Sequence, residues 1–228
     1  MESFDFKKLK SDLLEKGATF VGFSDISDIE YNRGFNGAIT IGIKLLDSVV
    51  EQIYEEQSPT YEYFHHYRTV NFALDQLALF CATSLEKSGF RVLMIPASQS
   101  SVNDPYRGAF PHKTAAVKAN LGFIGKSALF IHRDYGSMVR LATVLINKPL
   151  APDSDAVNLS CGTCNACFNA CIAGAIKGNE YIPGESRESI FDAEKCSQYM
   201  KKAYRDIGRG SVCGLCIAAC PFNHYHKR

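Results

Sequence analysis

Nine cysteines stand in this 228-residue chain, and eight of them fall between Cys161 and Cys220. The first four, Cys161, Cys164, Cys167 and Cys171, form a C-x2-C-x2-C-x3-C run; Cys196 follows, then Cys213, Cys216 and Cys220, with Pro221 directly after. Three thiolates at this spacing curl around one cube of iron and sulfide, and the fourth cysteine of such a run reaches a second cube. The pattern predicts two 4Fe-4S clusters that exchange a ligand. Cys161, Cys164, Cys167 and Cys220 are assigned to one, and Cys171, Cys196, Cys213 and Cys216 to the other. The second group is not a copy of the first, because Cys196 stands 17 residues before Cys213. Zinc in paired C-x2-C knuckles would leave the third close cysteine without a role. A disulfide framework needs an oxidising compartment, and a chain of this length with its own core has little use for one. The implied chemistry is electron transfer in a reducing cell.

The ninth cysteine, Cys81, reads differently. It lies on the apolar stripe Val70, Leu74, Leu77, Cys81, Leu85 of a helix expected from about Thr69 to Lys87 and ended by Gly89, where a free thiol packs as a small hydrophobe. Tyr61 to Arg68 (YEYFHHYR) opens that helix with aromatics and histidines, at no metal-binding spacing.

The elements that must position the cysteines begin further upstream. Phe6, Leu9, Leu13 and Leu14 recur at helical spacing up to Gly17; Ala18 to Phe23 and Ala38 to Ile43 read as strands, as does Phe90 to Ile95. Ser98 to Lys113 is a long loop of turn formers and aromatics, a kind of segment that often lines a site. A short helix near Thr114 to Asn120, a glycine-bounded turn LGFIGK, and strands at Ala128 to His132 and Met138 to Ile146 complete the first part. The proline and aspartate stretch from Pro149 to Asp155 is the best boundary, which gives domains at 1–155 and 156–228. In the second, Asp192 to Tyr204 reads as a helix carrying Cys196, and Gly208, Gly210 and Gly214 would let backbone approach a cluster closely.

The net charge is +1, from 25 basic and 24 acidic residues, which gives no general field for a phosphate backbone. A local basic patch at Arg205, Arg209, Lys227 and Arg228 is still expected. No apolar run approaches the roughly 18 residues of a membrane span, and the charged start lacks a signal peptide's apolar region, so no membrane role and a cytoplasmic setting are expected.

Several of these residues together resemble the cobalamin-dependent epoxyqueuosine reductases, relatives of the reductive dehalogenases. The resemblance rests on Leu121-Gly122-Phe123-Ile124-Gly125-Lys126, Gly136-Ser137 entering a strand, the Cys161 run, Lys195-Cys196-Ser197, and Cys213 to Asn223 with its CPFN ending. It implies an α/β N-terminal domain of nitroreductase-like topology holding a base-off cobalamin, followed by a dicluster ferredoxin-like α+β domain. The nearer cluster would reduce cobalt, and the substrate would be an epoxide such as that of a modified tRNA base in queuosine biosynthesis. Gly122, Gly125, Lys126 and Ser137 would then serve the cofactor, and reduced ferredoxin or flavodoxin would supply electrons to act on a small molecule or modified nucleoside.

The chain departs from the family at two places. It stops at Arg228 without the helical-repeat segment that helps hold tRNA. The family's presumed acid, three residues before a proline, aligns with Gly108 if that proline is Pro111. A proton donor is therefore sought at His112, with Tyr106 and Asp104 next, because an imidazole titrates near neutral pH. Two competing expectations are an electron carrier without corrinoid and a small flavin and iron–sulfur reductase.

Overall fold

The computed structural model describes residues 4–30, 32–99 and 104–223. Residues 100–103 of the Ser98–Lys113 loop, and Lys227 and Arg228 of the expected basic patch, lie outside them. Contacts divide the chain into two compact units that interleave in sequence: 1–44, 69–121 and 140–157 form one, and 45–68, 122–139 and 158–228 the other. A single cut near 155 therefore does not describe the division. Its end falls next to a unit edge, but 45–68 and 122–139 count with the cysteine-bearing segment.

The first unit is built on a four-stranded sheet of β1 (Phe20–Asp25), β2 (Gly37–Lys44), β3 (Val92–Ile95) and β6 (Val139–Ile146), in the order β1-β2-β6-β3. β1 pairs antiparallel with β2, Phe20 opposite Gly42, and β3 pairs antiparallel with β6, Val92 opposite Ile146. Glycine is required at Gly42 by close approach, since a Cβ there would lie 2.0 Å from the ring of Phe20.

Helices close over this sheet. α1 (Phe6–Glu15) starts where Asp5 accepts from the amides of Lys7 and Lys8, and it buries Leu9 and Leu13 before Gly17, at φ +108°, ends it. α4 (His112–Lys118) buries Ala115 and Ala116; Ala115 joins Ile26, Phe35, Ala38, Ile95, Phe110 and Leu145 in a core cluster. α3 (Tyr61–Lys87) begins eight residues before the expected Thr69, and its residues 69–87 belong to this unit. Leu74, Cys81 and Leu85 are fully buried on the stripe read from the sequence. Burial pushes the Cys81 thiol up to about 12, so it stays a protonated core group.

The second unit contains α2 (Asp47–Glu56), the antiparallel hairpin of β4 (Gly122–Ile124) and β5 (Phe130–His132), α5 (Ala166–Ala170), α6 (Ala193–Ala203) and α7 (Leu215–Ala218). An isolated bridge joins Ile176 to Phe191. Asp192 caps α6 by accepting from the Lys195 amide. Asn223, fully buried, ties the chain end down: its Oδ1 accepts from the amide and hydroxyl of Ser137 and its Nδ2 donates to the Ile217 carbonyl. Gly136, at φ +63°, permits this, because a Cβ there would sit 2.5 Å from Asn223 Oδ1.

Among the described residues no helix is long and apolar enough to cross a membrane.

Candidate iron–sulfur site

All eight clustered cysteines fall in the second unit, and none is in a disulfide. Cys161, Cys164 and Cys167 precede or enter α5, Cys171 follows it, Cys196 sits on α6, and Cys213, Cys216 and Cys220 surround α7. Short helices with glycine or cysteine at their ends bring side chains that are three residues apart to one side.

The thiols form two neighbourhoods. Burial pushes Cys167 up to about 11, and Cys161, Cys220 and Cys164 push it further the same way. Cys220 is likewise raised by burial and by Cys161 and Cys164. Burial pushes Cys196 up to about 11, with Cys213 and Cys171 adding to it. Cys216 stands well above the ordinary range, through burial and then through Cys213, Cys196 and Cys171, with Cys167 last. Cys171 thus acts on the later cysteines, while Cys220 acts on Cys167 and is acted on by Cys161 and Cys164. Among the described residues, no three His, Cys, Asp or Glu side chains converge on a point that would hold a single metal ion.

Backbone amides point at the sulfurs. The Ala175 amide donates to Cys171 Sγ at 3.3 Å. The amides of Lys126, Phe168, Leu215 and Phe222 oppose the upward push on Cys161, Cys167, Cys213 and Cys220 respectively. Donors of this kind stabilise thiolate and cluster charge. A donor set of eight buried or half-buried thiols, five of them facing amides, fits two 4Fe-4S clusters.

A family model described as a 4Fe-4S double cluster binding domain matches residues 160–223. The cysteine segment is a double-cluster 4Fe-4S domain.

The chain also has similar proteins among curated sequences and solved structures. The epoxyqueuosine reductase of Cyclobacterium marinum is 33% identical over 122 residues, which is 49% of this chain and 36% of that protein. The chain spans about a third of that relative's length. A reductive dehalogenase whose structure suggests a mechanism for B12-dependent dehalogenation shares the fold over 94% of this chain and 31% of its own, with TM-score 0.72 and 18% identity. An epoxyqueuosine reductase solved with an epoxyqueuosine-modified tRNA-Tyr stem loop aligns over 96% of this chain and 65% of its own, with TM-score 0.55 and 18% identity.

The residues expected to serve a corrinoid all lie in the second unit. Gly122 is pinned by the hairpin, where a Cβ would lie 1.9 Å from the Ile131 carbonyl oxygen. Gly125 faces Cys161, whose Sγ would be 3.2 Å from an added Cβ. Lys126 is only 6% exposed; its Nζ donates to the Gly162 carbonyl at 2.8 Å and to Asn165 Oδ1 at 3.3 Å. Ser137 donates to Ile217 and Asn223, and its hydroxyl opposes the upward push on Cys220. Gly125, Lys126 and Ser137 thus meet the cysteine segment, while Gly122 meets its own hairpin. Gly208, Gly210 and Gly214 also meet protein: an added Cβ would strike Phe64, the Met200 carbonyl, and Ile53 or Tyr63.

The loop of the first unit corrects the expectation for His112. Its Nε2 lies 2.9 Å from the Pro96 carbonyl and its Nδ1 2.7 Å from Thr143 Oγ1. A carbonyl only accepts, so Nε2 carries the proton and Nδ1 accepts from threonine. Desolvation pushes the imidazole down to about 4. A neutral ring with both nitrogens engaged is a structural tie between the loop and β6, not a proton donor. Asp104 is held within its own loop, accepting from the Tyr106 amide at 2.9 Å and pairing with Arg107 Nε at 3.2 Å. At Gly108, a Cβ would sit 3.1 Å from Gln99 Cγ, so the space next to the expected acid's position is taken by glutamine.

Proposed function

We propose that this chain is an iron–sulfur oxidoreductase of the epoxyqueuosine reductase type, with two 4Fe-4S clusters delivering electrons to a corrinoid and an epoxide or related group as substrate. The observation that carries the reading is the crossing of Cys171 and Cys220 between two thiol neighbourhoods inside a double-cluster domain. When bound, the clusters supply single electrons at low potential and the corrinoid supplies the reduction of a carbon–oxygen bond.

The ligand sets we infer are Cys161, Cys164, Cys167 and Cys220 for one cluster, and Cys171, Cys196, Cys213 and Cys216 for the other. The chain's part is to hold the thiolates, exclude water and direct amide dipoles at sulfur. A corrinoid, a nitroreductase-like topology for the first unit and a modified nucleoside of tRNA as substrate draw their support from the likeness to the reductive dehalogenase and the epoxyqueuosine reductases. No step is assigned to Gly122, Gly125, Lys126 or Ser137. For proton delivery, Tyr106 is the remaining candidate of the loop, with Asp104 requiring release from Arg107.

For the electron donor, we place reduced ferredoxin or flavodoxin at the basic cleft of about 550 Å³ lined by Lys201, Arg205, Asp206 and Arg209. The cleft includes the last turn of α6, the helix that carries Cys196, and acidic carriers are steered by such charge.

Anaerobic reconstitution tests the reading. About eight irons per chain are expected, for two 4Fe-4S clusters, together with a shifted base-off spectrum on adding cob(II)alamin and dithionite-dependent loss of an epoxyqueuosine nucleoside. Eight irons without a cobalamin response at tens of micromolar would favour the electron carrier without corrinoid; bound FMN would favour the flavin reductase.

A further inference from the structure

Lys126 is a buried cation whose hydrogen-bond acceptors are both neutral. It is 6% exposed, it donates only to the Gly162 carbonyl and Asn165 Oδ1, and it forms no ion pair with a carboxylate among the described residues. Burying an ammonium against neutral acceptors costs several kcal/mol unless a full negative charge lies close. Both acceptors belong to the first cysteine run: Gly162 follows Cys161, and Asn165 follows Cys164. The Lys126 amide also faces Cys161, and its ammonium charge favours the thiolate there. A 4Fe-4S core with four thiolates carries about two negative charges, and about three after taking up an electron.

We propose that Lys126 is the built-in countercharge of the cluster at Cys161, Cys164, Cys167 and Cys220, and that its ammonium raises the reduction potential of that cluster alone. The inference rests on the iron–sulfur reading above. The added electron is stabilised by a fixed positive charge held in a water-poor setting, where charge–charge energies are several times larger than at a surface. The other thiol set offers a contrast in the same domain. Lys195 donates to the Gly174 carbonyl at 3.0 Å, three residues after Cys171, but Lys195 is exposed and its charge is screened by water.

The test is a redox titration of the anaerobically loaded, full-length protein, followed by electron paramagnetic resonance. In Lys126→Met, one midpoint is expected to fall by at least tenfold in its one-electron constant, ~59 mV, while the second midpoint stays. Lys126→Arg is expected to restore the first, and Lys195→Gln to leave both near wild type. Two fully loaded clusters with neither midpoint moved by twofold (~18 mV), or both moved equally, would overturn the proposal. If Lys126→Met loads only half the iron and Lys126→Arg all of it, the countercharge role stands. Loss of all iron in both variants would sink it. Should the wild type itself fail to load about eight irons, it is the iron–sulfur reading that fails.

Discussion

Asn223 Oδ1 lies 3.0 Å from the Ser137 amide nitrogen and 3.1 Å from its hydroxyl, joining two residues 86 positions apart inside the second unit. The same side chain donates to Ile217 at 2.7 Å. Because Asn223 is fully buried, its truncation leaves the Ser137 amide and the Ile217 carbonyl without this partner in a dry site. Asn223→Ala is expected to lower stability by ~2–3 kcal/mol, read as a reduced midpoint in anaerobic urea denaturation of the loaded protein. A change under ~0.5 kcal/mol, the range of ordinary surface substitutions, would show that the tie is incidental. Ser137→Ala, which keeps the amide bond, should cost less than Asn223→Ala.

The β4–β5 hairpin makes a sharper steric prediction. A methyl group at Gly122 would sit 1.9 Å from a backbone carbonyl, which no side-chain rotation relieves. Gly122→Ala is expected to cost more than ~2 kcal/mol and to reduce the soluble yield. At Gly125 the nearest atoms, Ile131 Cγ1 at 3.0 Å and Cys161 Sγ at 3.2 Å, belong to side chains. Gly125→Ala should therefore fold, and its effect should appear in the visible spectrum of the loaded protein. Equal stability loss in both variants would contradict this difference.

What the sequence disclosed depended on where each residue's partners lie. The double-cluster segment is legible because residue type and local spacing fix the pattern. Helix α3 was legible because Val70, Leu74, Leu77, Cys81 and Leu85 repeat at the period of one turn. β4 was read as a turn, since Gly122 looks like punctuation until the Ile131 carbonyl packs against it. α2 was missed because only Val50 and Ile53 of its ten residues are buried. The surroundings of Lys126 and His112 are not legible for the same reason. Their acceptors, Gly162 and Asn165 for one and Pro96 and Thr143 for the other, are brought by tertiary structure and leave no local pattern.

Two histidines predict how the fold responds to acid. Desolvation pushes His112 and His132 down to about 4 from an ordinary value of 6.5. The unfolded chain takes up these protons first as pH falls, so stability is complete above about 6.5 and drops progressively toward 4. His112→Gln should flatten this slope, by ~2 kcal/mol at most between pH 7 and pH 5, since each pKa unit is worth ~1.4 kcal/mol. Denaturation midpoints at pH 7 and pH 5 for wild type and variant check it. An unchanged slope would mean that His112 is not held neutral.

The ligand exchange itself can be separated from the count of cysteines. Cys161 and Cys164 act electrically on Cys220, and Cys171 on Cys196, Cys213 and Cys216, although Cys220 and Cys171 are each closer in sequence to the other group. Serine in place of a ligand alters or empties the cluster it held. Cys220→Ser should therefore change the same magnetic resonance signal that Lys126→Met shifts, and Cys171→Ser the other one. Cys81→Ser should retain about eight irons, two complete 4Fe-4S clusters, and lose only stability, because its thiol is a buried core group. If Cys220→Ser instead perturbs the signal changed by Cys213→Ser, each run keeps its own fourth cysteine, and the two halves of the domain hold their clusters independently.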